Sequence, residues 1–166
     1  MILMLKTIIT GPESSGKTTL CKELSKHFKI PFAKEFAREY LDLLNRDYNQ
    51  DDLLKIAKGQ LASEHNIQLL DTDLITIKIW SEYKYGNCEN WILEQIEKQK
   101  DENRFYLLCK PDLKWEYDPL RENPNDRNEI LEIYKQELQI LGHKFFIIKG
   151  EGRNEKAIQN LSTNFR

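Results

Sequence analysis

Apolar positions along the chain alternate between two patterns: short unbroken runs, which read as buried strands, and longer stretches at helical spacing. Residues 5–10 form the first run, and Leu20, Cys21, Leu24 and Phe28 follow at helical spacing. Residues 30–34 make a second short strand, with Pro31 near its start, where proline is tolerated. Residues 35–44 read as a helix with Phe36, Tyr40, Leu43 and Leu44 on one face. Residues 49–65 read as another, with Asn49 as N-cap, Asp52 three positions on, and Leu53, Leu54, Ala57 and Leu61 as the buried stripe. An apolar run over 67–70 ends in Asp71-Thr72-Asp73, and Asp73 is placed to cap the helix predicted over 74–85, which Gly86 ends. Residues 90–100 are amphipathic, with Trp91, Ile92 and Ile96 inward, and 105–109 form a buried-type strand. Residues 110–126 have no period and are rich in Pro, Asp, Asn and Arg, which predicts a mobile loop. A helix over 128–141 (Ile130, Leu131, Tyr134, Leu138 and Leu141 inward, Gly142 at its end), a strand over 145–148 and a short helix over 155–161 complete the chain. Strands and helices alternate about five times, so the expected fold is α/β, a parallel sheet with helices on both faces.

Between the first strand and first helix stands Gly11-Pro12-Glu13-Ser14-Ser15-Gly16-Lys17-Thr18, followed by Thr19. It fits the P-loop pattern, Gly, four residues, then Gly-Lys-Ser/Thr. Four fixed positions match by chance in a chain of this length on the order of 1% of the time. The strand before and the helix after supply the context the motif requires. Glycines let the backbone wrap a phosphate so that N–H groups point inward, and the helix adds its positive end. Lys17 would reach the β- and γ-phosphates of a nucleotide such as ATP, and the Thr18 hydroxyl would ligate Mg²⁺. Asp71, at the end of an apolar run, has the position of the carboxylate on the metal side of such a site.

At 166 residues the chain suits one domain, 1–166, with a lid at about 110–127. A formal net charge of −2 lacks the basic footprint of a nucleic-acid module. Cys21, Cys88 and Cys109 are too few and too scattered for a disulfide framework or a zinc site and read as small core residues. His27, His65 and His143 are isolated and read as structural or exposed. Residues 1–6 are too short for a signal core and read as the start of a buried strand; no run reaches membrane-spanning length, so a soluble, cytoplasmic protein is expected.

No Asn-Lys-x-Asp and no Asp-x-x-Gly is present, which disfavours a GTPase, and no Asp-Glu pair ends an apolar strand, which disfavours a motor ATPase. A small chain with a long polar loop favours a small-molecule kinase with a lid. Arg121 and Arg127 lie in that loop where they could neutralise a transferring phosphoryl group. Glu35, just after the second strand, could accept the proton of an acceptor hydroxyl, with Arg38 one turn on.

Residues 11–20 are similar to the P-loop of the kinase domain of bacterial NadR proteins, the ribosylnicotinamide kinases, an AAA-like P-loop family. Residues 33–40 resemble that family's Glu-Tyr-Ala-Arg-Glu-Tyr, Asp71-Thr72-Asp73 with Trp80 resembles its Asp-Thr-Asp segment, and residues 109–121 resemble its Pro-Asp-x-x-Trp-x-x-Asp-Gly-x-Arg lid. The resemblance implies the kinase-type strand order 2-3-1-4-5 and MgATP-dependent phosphorylation of the 5′-hydroxyl of nicotinamide riboside, a step of NAD salvage. It puts Gly11, Glu13, Ser14, Ser15, Gly16, Lys17, Thr18 and Thr19 on the nucleotide, Thr18 and Asp71 at the metal, Glu35 and Arg38 at the acceptor, and Arg121 in the lid. Trp80, Trp115 and Tyr117 are candidates for stacking on a cationic pyridinium ring. Pro119 stands where the family has Gly, which leaves two other readings open: an ATP-binding regulatory module without kinase activity, and a kinase for another small acceptor. No His-x-Gly-His adenylyltransferase signature is present, so the resemblance is to the kinase half alone.

Overall fold

The computed structural model describes residues 4–163. The strands are β1 (Lys6–Thr10), β2 (Phe32–Ala33), β3 (Leu69–Asp71), β4 (Arg104–Cys109) and β5 (Lys144–Ile148). The helices are α1 (Lys17–Phe28), α2 (Phe36–Asp42), α3 (Gln50–Ser63), α4 (Leu74–Tyr85), α5 (Asn90–Lys98, extended by a 3-10 turn over Gln99–Asp101), α6 (Arg127–Ile140) and α7 (Arg153–Leu161). The sheet runs β2-β3-β1-β4-β5, and every pairing is parallel, with Ile9 opposite Asp71 and Leu107 and with Cys109 opposite Ile148. The expected α/β class, strand order and helices on both faces are all present. Of the buried strand expected at the N-terminus, residues 1–3 lie outside the described residues, and Lys6 opens β1.

Side-chain alternation explains why the strands read as continuous apolar runs: both faces of the sheet are covered. Ile8, Leu70, Tyr106 and Leu108 face a core shared with α2 to α6, while Ile9, Leu69, Leu107 and Cys109 face one shared with α1 and α7. Cys21 and Cys109 are buried small hydrophobes, as expected, and Cys88 is half-buried. His27 and His65 are exposed, while His143 is buried against the Tyr106 ring.

Two helix starts follow from their sequence. The Asn49 side chain accepts from the Asp52 N–H and the Asp52 carboxylate accepts from the Asn49 N–H, a reciprocal capping box. Asp73 caps α4 by accepting from the Ile75 N–H at 3.1 Å, and its second oxygen takes the Tyr106 hydroxyl at 2.6 Å and Arg104 at 2.9 Å. A fully buried Arg104 between Asp73 and Glu64 thus ties the start of β4 to the start of α4.

The face expected for α2 needs correcting. Ala37 and Leu41 are its buried residues, Phe36, Tyr40 and Leu44 pack at the edge, and Leu43 is 77% exposed. Leu43 keeps a helical backbone as the C-cap, but at about 100° per residue it lies about 200° round the axis from the buried Leu41, on the solvent side. In α3, Ile56 and Gln60 join Leu53 and Ala57 in the buried stripe, while Leu54 and Leu61 are half-buried.

Candidate nucleotide and acceptor site

Parallel sheets place ligands at the carboxyl ends of their strands. Here that edge gathers Gly11 after β1, Glu35 after β2, Asp71 ending β3 and Lys110 after β4. The P-loop is shaped by two glycines with positive φ. Gly11 (φ 137°) runs so close to β4 that a Cβ would lie 2.5 Å from the Cys109 carbonyl oxygen, and Gly16 (φ 83°) immediately precedes α1. The buried Ser15 hydroxyl donates to the Pro12 carbonyl at 2.6 Å, and Lys17 Nζ donates to the same oxygen at 2.8 Å.

Asp71 and Thr18 meet as expected: the Thr18 hydroxyl donates to Asp71 Oδ2 at 2.7 Å. Asp71 Oδ1 is buried and has no partner among the described residues. Burial pushes the Asp71 carboxyl above the usual range, against the opposing pull of the Thr18 hydroxyl, Lys17 and Lys22. A buried carboxylate oxygen without a donor, beside a hydroxyl at the helix start, is a donor set that suits a hard divalent cation. Thr72, between Asp71 and the cap Asp73, has φ 66°, a left-handed conformation unusual for a β-branched residue. It lets two carboxylates two residues apart serve the site and the helix.

A cavity of about 910 Å³ lies over this edge, lined by P-loop residues 13–19, Asp71, Glu35, Arg38, Trp80 and, from the 110–127 loop, Arg121. That volume suits a small-molecule site. A second, apolar cavity adjoins it and shares Glu13, Lys17, Glu35 and Trp80; Gly11, Thr76, Tyr83, Asn123 and Tyr134 also line it. Glu35 therefore sits between the phosphate loop and an apolar recess. Burial raises its carboxyl pKa; Asp71 and Glu13 add to the rise, while Lys17 and Arg38 oppose it. Tyr134 and Thr76, joined at 3.1 Å through their hydroxyls, escape sequence reasoning as lining residues because Tyr134 lies in the apolar stripe of α6.

Residues 110–126 contain no helix or strand, as expected, yet side chains tie them across the cavity. The Glu13 carboxylate accepts from the Glu122 N–H at 3.0 Å and the Asn123 N–H at 2.9 Å. The Ser14 hydroxyl accepts from the Glu116 N–H at 3.1 Å. Arg38 donates to both Asp118 oxygens at 2.8 Å. Pro119 occupies a tight turn closed by the Arg121 N–H on the Asp118 carbonyl at 3.0 Å, with Asp118 Oδ1 also accepting from the Leu120 N–H. Its fixed φ suits the second position of such a turn, so the substitution of Pro for Gly is accommodated.

The two arginines expected to act from the 110–127 segment are placed differently. Arg121 lines the large cavity and reaches the Glu116 carbonyl at 2.6 Å. Arg127 spends its terminal nitrogens on the Ser14 carbonyl at 3.0 Å and the Leu113 carbonyl at 3.1 Å, joining the 110–126 loop to the P-loop. Of the three aromatics expected at the acceptor ring, Trp80 lines both cavities. Trp115 stacks with the guanidinium groups of Arg127 and Arg121, 5.5 and 6.0 Å from its ring centre, and Tyr117 is 85% exposed. Neither of these lines the two cavities.

Known proteins resemble this chain to different extents. The trifunctional NAD biosynthesis/regulator protein NadR of Escherichia coli (strain K12) is 27% identical over 168 residues, covering 91% of this chain and 40% of its own length. A crystal structure of a NadR protein in complex with NR superposes with a TM-score of 0.78 at 26% identity, over 98% of this chain and 52% of that one. A NadR structure in complex with NAD and AMP-PNP gives a TM-score of 0.69 at 25% identity, over 98% of this chain and 50% of that one. The chain thus spans about two fifths of the curated relative and about half of the solved ones. Residues 6–156 match the AAA domain family AAA_28, and the chain belongs to that family.

Proposed function

We propose that the chain is an ATP-dependent kinase that phosphorylates the 5′-hydroxyl of nicotinamide riboside, giving nicotinamide mononucleotide. The observation that carries this reading is the place of Glu35, which borders both the phosphate loop and the apolar recess walled by Trp80. The likeness to NadR structures holding NR or AMP-PNP supports both halves of it.

ATP would lie with its phosphates in the P-loop, and Lys17 would leave the Pro12 carbonyl for the β- and γ-oxygens. Thr18 and Asp71 would hold Mg²⁺, which when bound neutralises charge on the β- and γ-phosphate oxygens. The riboside would enter the large cavity with its ring against Trp80 and its 5′-hydroxyl toward Glu35, while Arg38 supports the acceptor side. The hydroxyl oxygen forms the new bond to the γ-phosphorus, the bond to the bridging oxygen breaks, and Glu35 takes the hydroxyl proton. A carboxyl whose pKa is raised suits that duty, because it holds the proton more readily near neutral pH. Arg121 at the cavity rim would stabilise charge on the transferring group, and the lid would keep water out. Arg127 would hold the lid base on the P-loop, and Trp115 and Tyr117 would contribute from the lid.

A coupled ADP-release assay over a panel of ribosides tests this. Turnover with nicotinamide riboside above the other ribosides is expected; ATP binding without turnover of any riboside would sink the kinase reading.

A further inference from the structure

A P-loop binds phosphate through its N–H groups, and those depend on where its carbonyls are held. A trans peptide is planar, so its C=O and the following N–H point in opposite directions. Three P-loop carbonyls are engaged by side-chain donors: Pro12 by Ser15 and Lys17, Ser14 by Arg127, and Ser15 by Arg153 Nη1 at 2.8 Å. Arg153, the first residue of α7, stands outside every motif read from the sequence.

Its other terminal nitrogen donates to the Lys110 carbonyl at 2.6 Å and pairs with Asp112. The second oxygen of Asp112 accepts from the Gly150 N–H at 2.8 Å. The Arg153 guanidinium therefore joins the P-loop to the chain leaving β4 where the lid begins, and Asp112 carries the link on to the turn between β5 and α7. The Arg153 side chain is only 13% exposed, and its planar fork reaches two directions at once, which a lysine cannot do. Docking of α7 does not need this contact, because Ala157 and Leu161 are fully buried against the core that α1 shares.

We propose that Arg153, braced by Asp112, is a positioning residue for the donor phosphates: it draws the Ser15 carbonyl outward and so turns the Gly16 N–H toward the bound phosphate. The assignment rests on the P-loop as the nucleotide site and is independent of which acceptor is used. It also makes the lid base part of the phosphate site, since Asp112 and Lys110 share the same guanidinium.

Isothermal titration of the full chain with ATP and MgCl₂ tests it, with Arg153→Ala, Arg153→Lys, Asp112→Asn and Lys17→Ala compared with the parent. Loss of a charge-assisted hydrogen bond predicts ATP affinity lower on the order of 10–100-fold in R153A, with R153K and D112N between it and the parent. The melting temperature without nucleotide stays near the parent's, and in turnover the KM for ATP rises while the KM for the acceptor does not. If R153A fails to fold, R153K and D112N decide the matter by the same affinity measurement. Parent-like ATP affinity in every variant of Arg153 and Asp112 that folds overturns the proposal alone, as does a loss matched by an equal rise in acceptor KM. A parent chain that binds no ATP, or an unaffected Lys17→Ala, overturns the nucleotide-site reading and this proposal with it.

Discussion

Glu35 is the residue on which the proposed chemistry turns, and its environment makes two predictions. Glu35→Gln should lower kcat on the order of 10²–10⁴-fold, the usual contribution of a general base, with ATP affinity intact. A parent-like rate would reassign Glu35 to a structural role. Burial raises its carboxyl pKa, with Asp71 and Glu13 adding and Lys17 and Arg38 opposing. The base form is therefore lost as pH falls through a value above the ordinary carboxylate range, and the acid limb of kcat/KM should lie there and vanish in the Gln variant. The sign for stability is opposite to that of a salt-bridged carboxylate. A raised native pKa stabilises the fold below the unfolded pKa and loses that contribution as pH rises through the native one. At neutral pH, Glu35→Gln should therefore raise the melting temperature of the nucleotide-free chain. Lys17→Ala should abolish turnover; unchanged activity would contradict the phosphate-loop assignment. The positions of the P-loop, Asp71 and Glu35 at one sheet edge were legible because each ends or follows a strand locally and sheet topology does the rest. The placing of Trp115 was not, because its ring lies against the guanidinium groups of Arg127 and Arg121, which its neighbours in the chain do not announce.

Among the elements, α3 carries the clearest predictions. Gly59 lies where α3 crosses the first residue of α2, and a Cβ there would stand 2.2 Å from the Phe36 ring. Gly59→Ala gains about 1 kcal/mol of helix propensity. Overpacking against a ring costs about 1–3 kcal/mol, so net destabilisation is expected in a thermal melt, with a lowered kcat because Phe36 adjoins Glu35. Asp52 is the second. Arg46 holds its carboxyl well below the usual range, aided by the Asn49 N–H and the Tyr40 hydroxyl against the cost of burial. This contribution is present above the unfolded pKa and is lost as pH falls through the native one. Asp52→Ala should lower the melting temperature by several degrees at pH 7, and the gap to the parent should close in acid. The capping box was legible because Asn49 and Asp52 are three residues apart, whereas the end of α2 at Asp42 was not, because no Gly or Pro marks it.

At the scale of the molecule, the alternation of apolar runs and amphipathic stretches was enough for the fold class. The strand order came with the resemblance rather than from periodicity, which cannot choose between orders of parallel strands. The tethers of the 110–126 loop were hidden for a plainer reason. Glu13 to Glu122 and Arg38 to Asp118 join residues far apart in sequence, and nothing local distinguishes a charge that crosses a cavity from one that faces water. These tethers draw the P-loop, α2 and residues 110–127 around one cavity, which Glu35 borders, and the proposed kinase reading stands on that place of Glu35. Its sharpest test is to incubate the purified chain with MgATP and nicotinamide riboside and follow the phosphorus by ³¹P NMR. ADP and a new 5′-phosphomonoester should form in equal amounts; bound ATP with no phosphoryl transfer to any riboside would contradict the kinase reading.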